Sequence, residues 1–127
     1  MKSYIIYIII FFTCTSCDSE HILIGDIKGF VYDKTTNKPI EGVTLYTDSL
    51  SFNYFGKSKT DKNGFFYIKG MKTKDYDSYY IAIKNISYKL ILESENYITD
   101  TIDLEKYDKN ILDSINLKTI YLKPLEK

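Results

Sequence analysis

The sequence predicts an all-β domain, a seven-stranded Greek-key β-sandwich over residues 26–124, preceded by an export signal. Three observations carry this. Short runs rich in Ile, Val, Tyr, Phe and Thr recur after residue 24 with apolar residues two apart, a spacing that puts them on one face of a strand. Asp, Asn, Gly and Lys interrupt those runs in turn-forming groups. After residue 24 a helical period is hard to find, so helices are needed nowhere.

The chain begins with Lys2 and then Tyr4–Phe12, nine residues without a charge. That run is too short to span a bilayer, which takes about 20 apolar residues, and it fits the apolar core of a secretory signal. Thr13-Cys14-Thr15-Ser16-Cys17 follows. Small residues before a cysteine, directly after an apolar core, resemble the lipobox of bacterial lipoproteins. The resemblance implies that residues 1–16 are removed and that the Cys17 thiol carries a diacylglycerol, with the new amine usually acylated, so that Cys17 is a lipidation site. Cys14 stands where that motif most often has Leu. An ordinary cleaved signal or an uncleaved anchor is the alternative. Residues 17–25 then form a lipidated tether. Asp18-Ser19-Glu20 loosely resembles the acidic surface-export signal of Bacteroidota lipoproteins and reads equally as a solvated linker. His21, the one histidine, falls in this tether and is expected to face solvent.

The first strand is Asp26–Tyr32, with Ile27 and Val31 on one face. Lys38-Pro39-Ile40-Glu41-Gly42 is a connection, because Pro39 has no N–H to give a ladder. Val43–Thr47 follows, with Val43 and Leu45 inward, then a weaker run at Tyr54–Thr60. Asp61-Lys62-Asn63-Gly64 suits a type I turn into Phe65–Lys69, with Phe66 and Ile68 inward. Residues 70–78 read as a polar loop and Tyr79–Lys84 as a candidate strand or extension. Tyr88–Glu93 puts Leu90 and Leu92 in phase. After a turn at Ser94-Glu95-Asn96, Tyr97–Leu104 does the same with Ile102 and Leu104. Glu105–Ser114 is a loop with room for one helical turn, and Asn116–Lys123 is the last strand, with Ile120 and Leu122 in phase. Pro124 ends it, leaving 125–127 as a tail.

Taken together, Ile27-x-Gly29-x-Val31-x-Asp33, Lys38-Pro39-Ile40-Glu41-Gly42-Val43-x-Leu45 and Thr60-Asp61-x-Asn63-Gly64-x-Phe66-x-Ile68 resemble the carboxypeptidase regulatory-like domain. Leu90-x-Leu92 followed by Asn96-Tyr97 is similar to that family's strand ending in Gly-Tyr, and Ile102-x-Leu104 and Ile120-x-Leu122-x-Pro124 fit its last two strands. The resemblance covers residues 26–124 and implies a transthyretin-like (prealbumin-like) sandwich without catalysis. Members stand beside metallocarboxypeptidase domains, at the front of TonB-dependent receptors, or alone in secreted or lipidated proteins. Gly70–Ser87 is longer than the family has between those strands.

Composition bounds the chemistry. The 127 residues carry a formal net charge of +0 and no arginine, so no electrostatic feature calls for nucleic acid. Beyond His21 there is no histidine or cysteine, which removes Ser-His-Asp and Cys-His arrangements and zinc sites with His or Cys ligands from the folded part. No cofactor is expected. Asp33, Asp61, Glu93, Glu95, Asp100 and Asp103 lie near turns or strand ends. Two of them could cut a glycoside only if held at a fixed separation, and nothing in their spacing marks a pair. Asp61–Gly64 lacks the further acids of a calcium loop. Of thirteen tyrosines, Tyr32, Tyr46, Tyr67 and Tyr121 fall out of phase with the inward residues. They are expected on outer sheet faces, as structural aromatics or as a platform for sugars. The expectation is thus a non-catalytic, lipid-anchored envelope protein, placed at the outer membrane on its periplasmic or surface side. Its partners are the membrane and an envelope protein or polysaccharide. A carbohydrate-binding module and a small two-carboxylate hydrolase are the alternatives.

Overall fold

The structure is a computed structural model and describes residues 19–47, 57–108 and 110–126. Cys17 and the signal segment lie outside the described residues.

Seven strands make two facing sheets. The first is three-stranded, in the order β5 (Phe65–Ile68), β2 (Ile27–Asp33), β9 (Ile115–Leu122). β2 runs antiparallel to β5 and parallel to β9. The second has the order β4 (Ser58–Lys59), β3 (Thr44–Thr47), β7 (Lys89–Glu93), β8 (Asp100–Asp103), all antiparallel. Alternation decides what is buried. Ile27, Val31, Phe66, Ile68, Ile115, Leu117 and Leu122 enter one core from the first sheet, and Val43, Leu45, Leu90 and Leu92 from the second. Each such side chain contributes about 1.5–3 kcal/mol on leaving water.

The turns do what their residues dictate. Asp61 Oδ1 accepts from the Asn63 and Phe65 amides at 2.8 and 3.0 Å, and the Gly64 amide donates to the Asp61 carbonyl at 2.9 Å. Gly64 has φ +75°, so β5 leaves the turn through a left-handed residue, which glycine adopts without a Cβ clash. The turn also changes sheets, from β4 at one edge to β5 at the other, where Ser58 Oγ donates to the Tyr67 carbonyl at 3.1 Å. After β2, Asp33 Oδ1 accepts from the Thr35 and Thr36 amides, and Asn37 takes φ +58°.

Several expectations are corrected. Tyr79–Lys84 is not a strand. It lies inside helix α1, Tyr76–Asn85, so the expectation that helices are needed nowhere fails. Asp75 caps the helix, with its carboxylate accepting from the Ser78 amide at 3.0 Å, and Asp77 and Lys84 suit the two ends of the helix dipole. The loop placed at 70–78 contains β6, Met71–Thr73. β6 pairs antiparallel with β1, His21–Ile24, so this part of the expected tether is built into the fold. Leu23 and Ile24 are buried there. Helix α1 packs on β1 and β6 and buries Ala82. Leu23 and Ala82 both stand outside the main core cluster, in a small annex of their own.

Most strand limits shift by one residue, and two runs differ by more. Of the run expected at 54–60, residues 54–56 lie outside the described part and the strand is Ser58–Lys59. The run expected at 97–104 begins later. Ile98 donates to the Lys123 carbonyl at 2.8 Å and Leu125 to that of Asn96 at 2.9 Å, so residues 96–98 pair with the end of the chain before β8 starts. Leu104, buried as expected, opens the single turn α2, Leu104–Tyr107. β9 carries a bulge. Lys28 faces Asn116 but Phe30 faces Thr119, and Lys118 takes φ +57° between them. The extra residue resets the phase, so Ile115 and Leu117 point inward as Ile120 and Leu122 do.

Candidate functional site

The outer face of the three-stranded sheet is aromatic. Every second residue of β2 and β5 points away from the core, which brings out Phe30 and Tyr32 from β2 and Phe65 and Tyr67 from β5; Tyr121 joins them from β9. Register places Phe30 opposite Phe65 and Tyr32 opposite Tyr121. The ring centroids lie 5.4 Å apart for Phe65 and Phe30, 6.5 Å for Phe30 and Tyr32, and 6.4 Å for Tyr32 and Tyr121. The last two pairs meet edge to face, at 89° and 81°, the arrangement that ring quadrupoles favour. The row therefore crosses all three strands as a ridge of alternately tilted rings. Phe30, Tyr67 and Tyr121 keep 39%, 49% and 49% of their surface exposed.

Tyr67 is anchored at its tip. Its hydroxyl bonds to the Asp26 carboxylate, which also accepts from the Gly70 amide at 2.7 Å. These two donors, the amide first, hold the Asp26 carboxyl below the ordinary range, and the same carboxylate pushes the Tyr67 hydroxyl up. A ring fixed at both ends offers a face at low entropic cost.

Of the four expected outward tyrosines, Tyr32 and Tyr121 meet in the row, while Tyr67 shares its face of the sheet but stands apart, opposite Lys28. Tyr46 lies on the other sheet, with Lys57 Nζ 5.3 Å from its ring centre. Phe30 and Phe65 belong to the ridge and were not singled out from sequence, although the alternation that sends Val31 and Phe66 inward sends them outward.

Four of the six carboxylates have separate local roles, and Glu93 and Glu95 share one open surface depression. Asp33 and Asp61 hold turns, as above. Asp103 caps α2 by accepting from the Glu105 amide at 3.2 Å and lies 3.8 Å from Lys106. Asp100 accepts from its neighbour's amide at 2.9 Å. Glu93 and Glu95, both exposed, rim one surface depression of about 610 Å³ with Thr44 and Ile98. Among the described residues, no three His, Cys, Asp or Glu side chains converge as metal ligands would. None of the described helices is long and apolar enough to cross a membrane.

His21 is not the solvent-facing linker residue that its position suggested. It is half-buried, with its ring 5.6 Å from that of Tyr76 and 5.2 Å from that of Tyr79, which ties β1 to α1.

No family model matches the chain, and no curated protein matches it. Among solved structures it is similar to a 9R-lipoxygenase from Cyanothece, with 15% identity and a TM-score of 0.49 over 78% of this chain. It is also similar to a minor pilin of Streptococcus agalactiae, with 17% identity and a TM-score of 0.41 over 84% of this chain. The chain spans 16% of the length of the first and 47% of the second. At these scores neither likeness bears on activity, and the sandwich stands on its own strands and core.

Proposed function

We propose that the chain is a cell-envelope lipoprotein, anchored through lipid on Cys17, whose β-sandwich is a non-catalytic interaction or accessory module of the carboxypeptidase regulatory-like kind. One observation carries the anchor: a charge-free run, Tyr4–Phe12, leads directly to Thr15-Ser16-Cys17. Two or three acyl chains hold firmly, because each buried CH₂ contributes about 0.8 kcal/mol. The seven-strand order and the turn chemistry around Asp33, Asp61 and Gly64 support the family reading. Asp33, Asp61, Asp100 and Asp103 are engaged in turns, caps and local amide bonds, and Glu93 and Glu95 stand exposed on an open depression, which supports a binding role over hydrolysis. On this reading the protein sits at the outer membrane and meets an envelope protein or a polysaccharide.

Growth of a bacterial host with labelled palmitate tests the anchor. Label and membrane recovery are expected for the full chain and for neither in Cys17→Ser. An unlabelled, soluble wild type would refute it.

The aromatic ridge favours a second reading, a carbohydrate-binding module. Sugars stack on rigid rings, and Tyr67 and Tyr121 each present about half of their surface. Retardation in polysaccharide gels, abolished by Tyr67→Ala and Tyr121→Ala with the fold intact, is the expected result. Unretarded migration across a broad glycan panel would remove this reading.

A further inference from the structure

Helix α1 carries the wrong residues for a solvated helix. A helix packed on a domain has a polar outer side. Here Tyr76, Tyr80, Ile81 and Ile83 remain 62%, 49%, 56% and 37% exposed, while the small Ala82 fills the inner side. At about 100° per residue, Tyr76, Tyr80 and Ile83 fall within about 60° of one another, with Lys84 beside them and Ile81 further round the outer surface. Lys84 Nζ lies 4.0 Å from the centre of the Tyr80 ring. Tyrosine beside aliphatic side chains, with a lysine ammonium over one of the rings, is the composition of a membrane interface.

The position of the helix singles out the occupant. Residues 18–20 alone separate Cys17 from β1, on which α1 packs through His21. Four steps of extended chain reach at most about 14 Å. Lipid on Cys17 would hold the start of β1 within that distance of the bilayer surface, and α1, packed on β1, close behind it at a high effective concentration. The charges around the patch balance. Lys72, Lys74 and Lys84 stand against Glu20, Asp75 and Asp77, with Lys72 and Glu20 paired at 2.7 Å. On the outer face itself Asp77 and Lys84 offset each other between Tyr80 and Ile81, so contact would be carried by the rings and aliphatic side chains and be indifferent to anionic lipid.

We infer that the outer face of α1, formed by Tyr76, Tyr80, Ile81 and Ile83, lies in the interface of the membrane that holds the lipid anchor and fixes the orientation of the sandwich above it. This rests on the proposed lipidation of Cys17. The helix sits in the plane of the bilayer; it is a second, weak contact that turns a swivelling tether into a fixed stance.

The chain has no tryptophan, so Tyr80→Trp in the full lipidated protein is a unique fluorescent probe. In phosphatidylcholine vesicles, its emission is expected to fall about twofold when the lipid is brominated, since an interfacial helix sits about 5–10 Å deep. Adding anionic lipid should leave the quenching unchanged, and Ile81→Asp with Ile83→Asp should abolish it while the protein stays on the vesicles. The probe being unquenched in protein whose mass includes the lipid and which remains vesicle-bound overturns the helix inference and leaves the anchor standing. Shielding of the probe by a second copy, seen as a dimer mass in detergent together with unquenched emission, overturns it too. A Cys17 without lipid mass refutes the anchor reading instead.

Discussion

The Tyr97 hydroxyl donates to Asp33 Oδ2 at 2.8 Å across sixty-four residues, joining the end of β2 in one sheet to the turn after β7 in the other. Asp33 Oδ1 is already taken by the Thr35 and Thr36 amides. One carboxylate thus closes a local turn and clasps two sheets.

Those donors, the Thr36 amide first and the Tyr97 hydroxyl next, hold the Asp33 carboxyl below its ordinary range. Asp26 and Asp75 are lowered in the same way. A carboxyl lowered on folding contributes stability above its unfolded value and loses it as pH falls through its folded value. The urea midpoint should therefore hold from neutral pH down to the ordinary aspartate range and fall below it. Asp33→Asn should lower the midpoint at neutral pH and shrink the acid decline. A decline of unchanged size in Asp33→Asn would contradict this assignment.

Thr60 bridges two backbone groups inside the protein. Its Oγ1 accepts from the Val43 amide at 2.9 Å and donates to the Ile40 carbonyl at 2.7 Å, and the residue is 4% exposed. Thr60→Val keeps the shape and leaves both groups unpaired, so a loss of about 2–3 kcal/mol is expected in urea unfolding at constant slope. Thr60→Ser should lose less.

Gly42 and Gly64 share a positive φ, +79° and +75°, but not a setting. A Cβ on Gly42 would meet open space, whereas one on Gly64 would sit 2.5 Å from the Val31 carbonyl oxygen. Gly42→Ala should cost about 1 kcal/mol for the left-handed dihedral, and Gly64→Ala at least about 1 kcal/mol more. Equal losses would place the strain in the dihedral alone.

The central sandwich strands were legible because a period of two selects their buried side chains: Ile27 with Val31, Phe66 with Ile68, Leu90 with Leu92; the short edge strands β4 and β8, with no fully buried residue, were placed only roughly. The annex was not. Tyr-Tyr-Ile-Ala-Ile over 79–83 is good strand composition, and what overrides it is the cap at Asp75 together with the small Ala82 against β1 and β6. Asp75, Asp77 and Lys84 were visible helix-end signals, outweighed by the β-branched run. β1 was hidden because His21–Ile24 is short and stands directly after the acidic segment. The ridge was half legible: alternation marks Tyr32 and Tyr121 as outward-facing, along with Tyr67 elsewhere on the same face, while Phe30 and Phe65 pass as ordinary strand residues. The bulge at Lys118 had no marker, since a lysine rarely takes a left-handed dihedral.

Asp75→Ala removes the carboxylate that caps α1. The cost should be about 1 kcal/mol and local, seen as faster amide exchange over residues 79–86 with the β2 and β7 amides still protected. Uniformly faster exchange would show that the annex and the sandwich unfold as one unit.

The most direct measurement for the whole account is the intact mass of the mature amino terminus, from full-length protein made in a bacterium. A chain beginning at Cys17 and carrying diacylglycerol, with a further acyl group on its amine, is expected. A chain beginning anywhere else, or a bare Cys17, would contradict it.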